Sequence, residues 1–274
     1  MTGTSTGTNT DTSPRTSTAG DGRTWLRRYH PAPEAGVRLV CFPHAGGSAT
    51  FYFPVSRTLS GPVEVLPVQY PGRQDRHTEP CVGDIGELAD HVASELLPLA
   101  ARPLALFGHS MGALVAYEVA RRLEDSGIEP ACLFVSGRRA PTCSRDENVH
   151  RLNDDGLIEQ LRRLSGTEAQ ILGDPEVLRL ILPAVRSDYE AVESYRHEPG
   201  PPLRCPVVAL TGDDDPQVTF DEAAAWSERT VGGFELNVYE GGHFYLNSQA
   251  AAVMETIAQR LRTPSPVGPA GPGR

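Results

Sequence analysis

Short apolar runs alternate with stretches of helical period along most of this 274-residue chain. Val37 to Phe42 is one such run, closed by Pro43 and Gly46-Gly47, which predicts a buried strand that ends in a loop. Val63 to Val68, Pro103 to Phe107, Ala131 to Val135, Val207 to Leu210 and Phe234 to Tyr239 predict further strands. Between the second and third, Ile85 to Leu99 gathers Ile85, Leu88, His91, Val92, Leu96 and Leu97 on one side of a helix. Ala113 to Leu123 predicts another helix, with small residues along one face. Strands and helices in this alternation imply an α/β fold whose mostly parallel central sheet is covered by helices on both faces.

Residues 138–202 break the alternation. Leu157, Ile158, Leu161 and Leu164, then Val177, Ile181, Val185 and Tyr189, follow helical spacing without an evident strand, which predicts an inserted helical lid. Val177 to Leu182 holds more apolar residues than one buried face needs, so the insertion is either the wall of an apolar pocket or a tightly packed helical layer. Residues 1–22 are a Thr/Ser/Gly-rich run without the basic start and apolar stretch of a secretory signal, and 264–274 are rich in Pro and Gly. Both tails are expected to be disordered, leaving one folded domain over 23–263.

Composition narrows the function classes. With 39% hydrophobic and 22% charged residues the chain is ordinary for a globular protein, and no segment approaches the roughly 20 apolar residues of a membrane span. A formal net charge of −10 opposes binding to nucleic acid or an anionic membrane. The five cysteines are odd in number and form no CxxC pair, which argues against a disulfide framework or a metal site and places the protein in the cytoplasm. Cys41, Cys132 and Cys205 lie in or beside apolar runs, as small buried hydrophobes do.

The chemistry begins at Gly108-His109-Ser110-Met111-Gly112, which follows a predicted strand and precedes a predicted helix. In that context G-x-S-x-G is a sharp strand-to-helix turn that lifts the serine hydroxyl over the sheet, beside the positive end of the helix. A serine hydroxyl is a weak nucleophile until a base takes its proton, and the base needs an acid to orient it. In this fold the chain order is Ser, acid, His. Gly212-Asp213-Asp214-Asp215-Pro216 and Gly241-Gly242-His243 each follow a late strand, at the ends where such sheets collect their sites. Asp215 is the favoured acid, because it lies far enough round its loop to fold back and Pro216 stiffens it; Asp213 and Asp214 read as a turn cap or as water-facing. His44-Ala45-Gly46-Gly47-Ser48 is similar to the Gly-rich loop that supplies an oxyanion-hole amide, so the N–H groups of Ala45 and Met111 are expected to form that hole while His44 shapes the loop.

These motifs, with Tyr70-Pro71-Gly72-Arg73 and Gly242-His243-Phe244, resemble the type II thioesterases of the α/β-hydrolase superfamily over about Trp25 to Leu261. The resemblance implies a discrete protein that hydrolyses stalled or aberrant acyl groups from the phosphopantetheine arm of acyl or peptidyl carrier proteins in polyketide and nonribosomal peptide synthases. It implies a serine nucleophile and no cofactor or metal of the protein's own, while the acidic surface and single domain suggest a monomer. Arg73, Arg121, Arg122, Arg138 and Arg139 are surface cations open to an acidic carrier, although none is assigned to binding. Three other readings keep parts of the pattern: an acyltransferase with the same serine motif, a carboxylester or acyl-CoA hydrolase with the same triad, and a carrier-protein binder without catalysis.

Overall fold

The computed structural model describes residues 25–164 and 174–262. The tails expected at 1–22 and 264–274 lie outside the described residues. Strands β1 (Val37–Phe42), β2 (Val63–Pro67), β3 (Leu104–His109), β4 (Cys132–Ser136), β5 (Val207–Gly212) and β6 (Phe234–Tyr239) form one sheet in the order β2-β1-β3-β4-β5-β6. Every pairing is parallel. Parallel neighbours need crossover connections, and helices supply most of them: α1 (Phe53–Leu59), α2 (Ile85–Leu96), α3 (Met111–Asp125), α4 (Asp154–Arg163), α5 (Pro175–Ser194) and α6 (Phe220–Ala224), followed after β6 by α7 (Tyr245–Ser248) and α8 (Ala250–Arg262).

The strands read as near-continuous apolar runs because both faces are covered. Val40, Phe42, Leu106 and Val135 point to the side of α2 and α3, while Leu39, Cys41, Phe107 and Phe134 point to the side of α8. Cys41, Cys132 and Cys205 are buried, and burial pushes the Cys132 thiol up to about 12. α2 starts at Ile85, capped by the Asp84 carboxylate on the Glu87 N–H at 2.8 Å. Its buried stripe is Ile85, Leu88, Ala89, Val92, Ala93 and Leu96. His91 and Leu97 are exposed, contrary to the expected stripe: His91 stacks on Trp25 at 4.9 Å, and at Leu97 the chain turns into a short 3₁₀ segment containing Pro98.

The chain leaves β1 toward β2 on one side and then crosses to β3 on the other. The order of strands therefore reverses between β1 and β3, and at such a switch point the loops splay apart and leave a crevice. Ser110 and the His44–Ser48 loop face each other there, at the C-terminal ends of β3 and β1. Between β4 and β5 the chain makes the cap helices α4 and α5, whose own apolar cluster is Leu157, Leu161, Leu182 and Val185. Asn153 and Asp174 cap these helices, and Pro183 removes one N–H from the middle of α5.

Candidate active site

Ser110 stands between β3 and α3 with φ 55 and ψ −117, a backbone conformation that costs a non-glycine residue energy. Its surroundings leave the chain no other path. A Cβ on Gly108 would lie 2.1 Å from the Gly112 carbonyl oxygen, and one on Gly112 would lie 2.0 Å from that of Phe42. The Ser110 N–H donates to the Ser136 carbonyl at the end of β4 at 2.8 Å, which ties the turn to the neighbouring strand.

His243 arrives from the far side of the sheet, 133 positions along the chain, and its Nε2 is 3.0 Å from the Ser110 Oγ. Its Nδ1 lies 3.0 and 2.9 Å from the two Asp215 carboxylate oxygens. A carboxylate only accepts, so Nδ1 carries the proton and donates it, and Nε2 is left to accept from the serine hydroxyl. Asp215 is held in turn by the Gln217 N–H at 2.8 Å. The other two aspartates do different things: Asp213 accepts the Gly241 N–H at 2.8 Å and fastens the two loops together, while the Asp214 side chain faces water. A Cβ on Gly212 would lie 2.1 Å from the Gly241 carbonyl oxygen, so the acid loop and the histidine loop pack backbone to backbone.

Among the described residues no acceptor meets the N–H of Ala45 or that of Met111, although the Gly46 N–H is taken by Asp188 at 2.7 Å and the Gly47 N–H by the His44 carbonyl at 2.9 Å. Met111 is the first residue of α3, where backbone donors are orphaned and the helix dipole is positive. His44 lies edge-on to Phe51 and Phe244 at 4.8 and 4.9 Å. Burial, helped by His243 and Arg73, pushes its pKa down to about 3, so it is neutral at physiological pH. His109 is also neutral, driven well below the usual range by burial. Its Nδ1 pairs with the Ser136 hydroxyl at 2.9 Å, which pairs with the Tyr245 hydroxyl at 2.6 Å, and its ring lies 5.0 Å from that of His243.

Several expected surface cations are engaged in the interior instead. Arg73 and Arg139 are buried at 7% and 3% exposure, Arg73 on Asp188 and Arg139 on Glu147. Arg121 and Arg122 are partly covered and pair with Glu118. Arg138 makes no ion pair among the described residues, and burial next to Arg139 lowers its pKa to about 10. Burying a charge is costly unless a partner is near; Glu118 and Glu147 lie within eight residues of the arginines they hold, whereas Asp188 reaches Arg73 from 115 positions away. One signal was present: Asp188 falls on the apolar face of its helix, three residues after Val185, where a carboxylate must find a cation or donors.

A cleft of about 420 Å³ opens beside His243, bounded by Phe244, Gly241, Pro216 and the cap residues Arg163 and Leu164. A separate apolar cavity of about 280 Å³ lies across the sheet between α1 and α8, with none of Ser110, Asp215 or His243 in its wall. Among the described residues no cluster of His, Cys, Asp or Glu is placed to hold a metal ion, and no helix is long and apolar enough to cross a membrane.

The sequence matches the thioesterase domain family over residues 37–261. It is 52% identical to the thioesterase PikA5 of Streptomyces venezuelae over 243 residues, covering 88% of this chain and 86% of that one. It is 54% identical over 237 residues to a probable cadicidin biosynthesis thioesterase of Streptomyces griseus, covering 86% of this chain and 66%, just under two thirds, of that relative. Among solved structures it resembles the type II thioesterase BorB of the borrelidin biosynthetic cluster, with 52% identity, a TM-score of 0.84, and coverage of 89% of this chain and 100% of that one.

Proposed function

Because the chain belongs to the thioesterase family, we propose that it is a type II thioesterase, which frees acyl groups from the phosphopantetheine thiol of acyl or peptidyl carrier proteins of a polyketide or nonribosomal peptide synthase. The observation that carries this reading is the unbroken relay from Asp215 through His243 to Ser110, together with the Ala45 and Met111 N–H groups, which meet no acceptor among the described residues. Ser110 is the nucleophile. Its Oγ attacks the thioester carbonyl as Nε2 of His243 takes its proton, and Asp215 stabilises the imidazolium that forms and keeps Nδ1 as the donor. The N–H groups of Ala45 and Met111 receive the developing oxyanion.

When the tetrahedral intermediate collapses, the C–S bond breaks and the thiol leaves with the proton from His243. A thiol with a pKa of about 8.5 is a good leaving group, so little acid assistance is needed and a thioester suits the site. Water then gives a proton to His243 as it attacks the acyl-Ser110 ester, and His243 returns that proton to Oγ of Ser110 as the acyl–oxygen bond breaks and the carboxylic acid leaves. The C-terminal end of α4, at Arg163 and Leu164, walls the cleft beside His243 that takes the acyl group. The enzyme works as a monomer in the cytoplasm, where its cysteines stay reduced and where it removes aberrant or stalled acyl groups from the synthase.

Purified protein offered acyl-carrier thioesters, acyl-N-acetylcysteamine thioesters and simple oxygen esters tests the reading. Hydrolysis of the thioesters is expected to dominate. A strong preference for oxygen esters would sink it, transfer of the acyl group to an acceptor other than water would mark an acyltransferase, and absence of a fluorophosphonate adduct on Ser110 in the folded protein would mark a binder.

A further inference from the structure

Asp188 carries a carboxylate into the interior of the cap: it is 1% exposed and lies 115 positions from its principal partner, Arg73. Its Oδ2 accepts from Nη1 of Arg73 at 2.6 Å and from the Gly46 N–H at 2.7 Å, and its Oδ1 accepts from Nη2 of Arg73 at 2.8 Å. Arg73, itself buried over the Tyr70 ring, also donates through Nη1 to the Gly47 carbonyl at 3.2 Å and through Nε to the Pro71 carbonyl at 3.3 Å. One ion pair therefore joins helix α5, the loop after β1 and the loop after β2. Taking two charges out of water costs several kcal/mol per ion, so such a pair is weak evidence for stability and better evidence for an imposed geometry.

The imposed geometry is that of the His44–Gly47 turn. The His44 carbonyl and the Ala45 N–H belong to one planar trans peptide and point in opposite directions. The Gly47 N–H pulls the His44 carbonyl one way at 2.9 Å, so the Ala45 N–H is turned the other way. Asp188 binds Gly46 at its N–H and Arg73 binds Gly47 at its carbonyl, so the ion pair grips the turn at both glycines. Gly46 adopts φ +75, and a Cβ there would lie 2.6 Å from Cγ2 of Val185, so α5 sits directly on the turn.

We propose that Asp188 and Arg73 are positioning residues for the oxyanion hole: together they make a seated α5 a condition for the Ala45 N–H to face the reacting carbonyl oxygen. The proposal rests on the reading of Ala45 as an oxyanion donor. It makes the cap part of the catalytic geometry, so that the seating of α5 and completion of the hole are coupled through one carboxylate.

Steady-state hydrolysis of an acyl-N-acetylcysteamine thioester, read beside the affinity of an alkylboronic acid, tests it. The boronate adds to Ser110 and places a hydroxyl where the oxyanion forms, so its affinity reports the hole and not the fold. Asp188→Ala is expected to lower kcat by about 100-fold with KM within about 3-fold, and to weaken the boronate by a similar factor, as loss of one oxyanion donor does. Asp188→Asn keeps an acceptor for Gly46 and Arg73→Lys keeps the charge without the fork, so each is expected to lose about 10-fold in both readouts, and they serve if Asp188→Ala does not fold. Unchanged kcat and boronate affinity in the folded variants would overturn the proposal, as would a fall in kcat without a fall in boronate affinity. Ala45→Pro removes the amide itself. If that variant keeps full kcat, the reading of Ala45 is at fault; if it is impaired while the Asp188 and Arg73 variants are not, only the positioning role fails.

Discussion

The floor of the site and the cap above it are built on different principles. On the floor Ser110, Asp215 and His243 stand at the ends of β3, β5 and β6, Asp215 and His243 are 9% and 3% exposed, and backbone packs on backbone through Gly108, Gly112 and Gly212. In the cap, α4 and α5 pack on each other through a small apolar cluster of their own and leave Leu180 67% exposed. The contrast separates two duties. Proton transfer needs groups held to a fraction of an ångström, which only close-packed strand ends provide, whereas admitting varied acyl chains needs a wall that can give. The Asp188–Arg73 pair is where the two meet.

The comparison breaks most severely on the floor. Ser110→Ala is expected to lower kcat by about 10⁴-fold or more with the melting temperature little changed, as read by thioester hydrolysis and thermal unfolding. Asp215→Asn should follow at about 10³–10⁴-fold, because the imidazole loses the partner that fixes its tautomer. Asp213→Asn and Asp214→Asn should each stay within about 10-fold, since the first keeps an oxygen for the Gly241 N–H and the second faces water. A larger loss from Asp213→Asn than from Asp215→Asn would overturn the assignment of the acid.

The floor also carries acid sensitivity. Folded His44 takes a proton only near pH 3, whereas the unfolded chain takes it near 6.5, so the unfolded state binds more protons in between and stability falls as pH drops through that window. His44→Asn should flatten the dependence of the urea midpoint on pH between 6.5 and 4, by up to about 1.4 kcal/mol per pH unit. An unchanged slope would show that His44 is not held neutral. The smallest effect belongs to the cap: Leu164→Gln should change stability by about 1 kcal/mol or less, while KM for long acyl thioesters rises a few-fold and KM for acetyl does not. Equal KM changes for both chain lengths would remove Leu164 from the acyl wall.

Much of the floor was legible in order along the chain. The strands follow apolar runs bounded by Gly and Pro, the elbow and the acid loop are marked by glycines whose Cβ atoms would collide with backbone, and the histidine loop by Gly241, which adopts φ +129. Boundaries shifted where side-chain contacts intervened, as at His91, which leaves the expected buried stripe of α2 to stack on Trp25. The cap was legible as helices but not in its attachment. Arg73 reads as a surface cation and Asp188 as one acid among many until the fold sets them 2.6 Å apart.

By itself, the sequence determined the alternation of strands and helices, the order Ser110, Asp215, His243 and the turns that present them, because each depends on local sterics and on periodicity within a few residues. The tertiary structure alone decided the distances across 133 positions that join His243 to Ser110, the burial that keeps His44 and His109 neutral, and the seating of α5 on the Ala45 loop. Desolvation and ion pairing depend on what lies nearby in space, and that is settled only when the sheet brings its strand ends together under the cap.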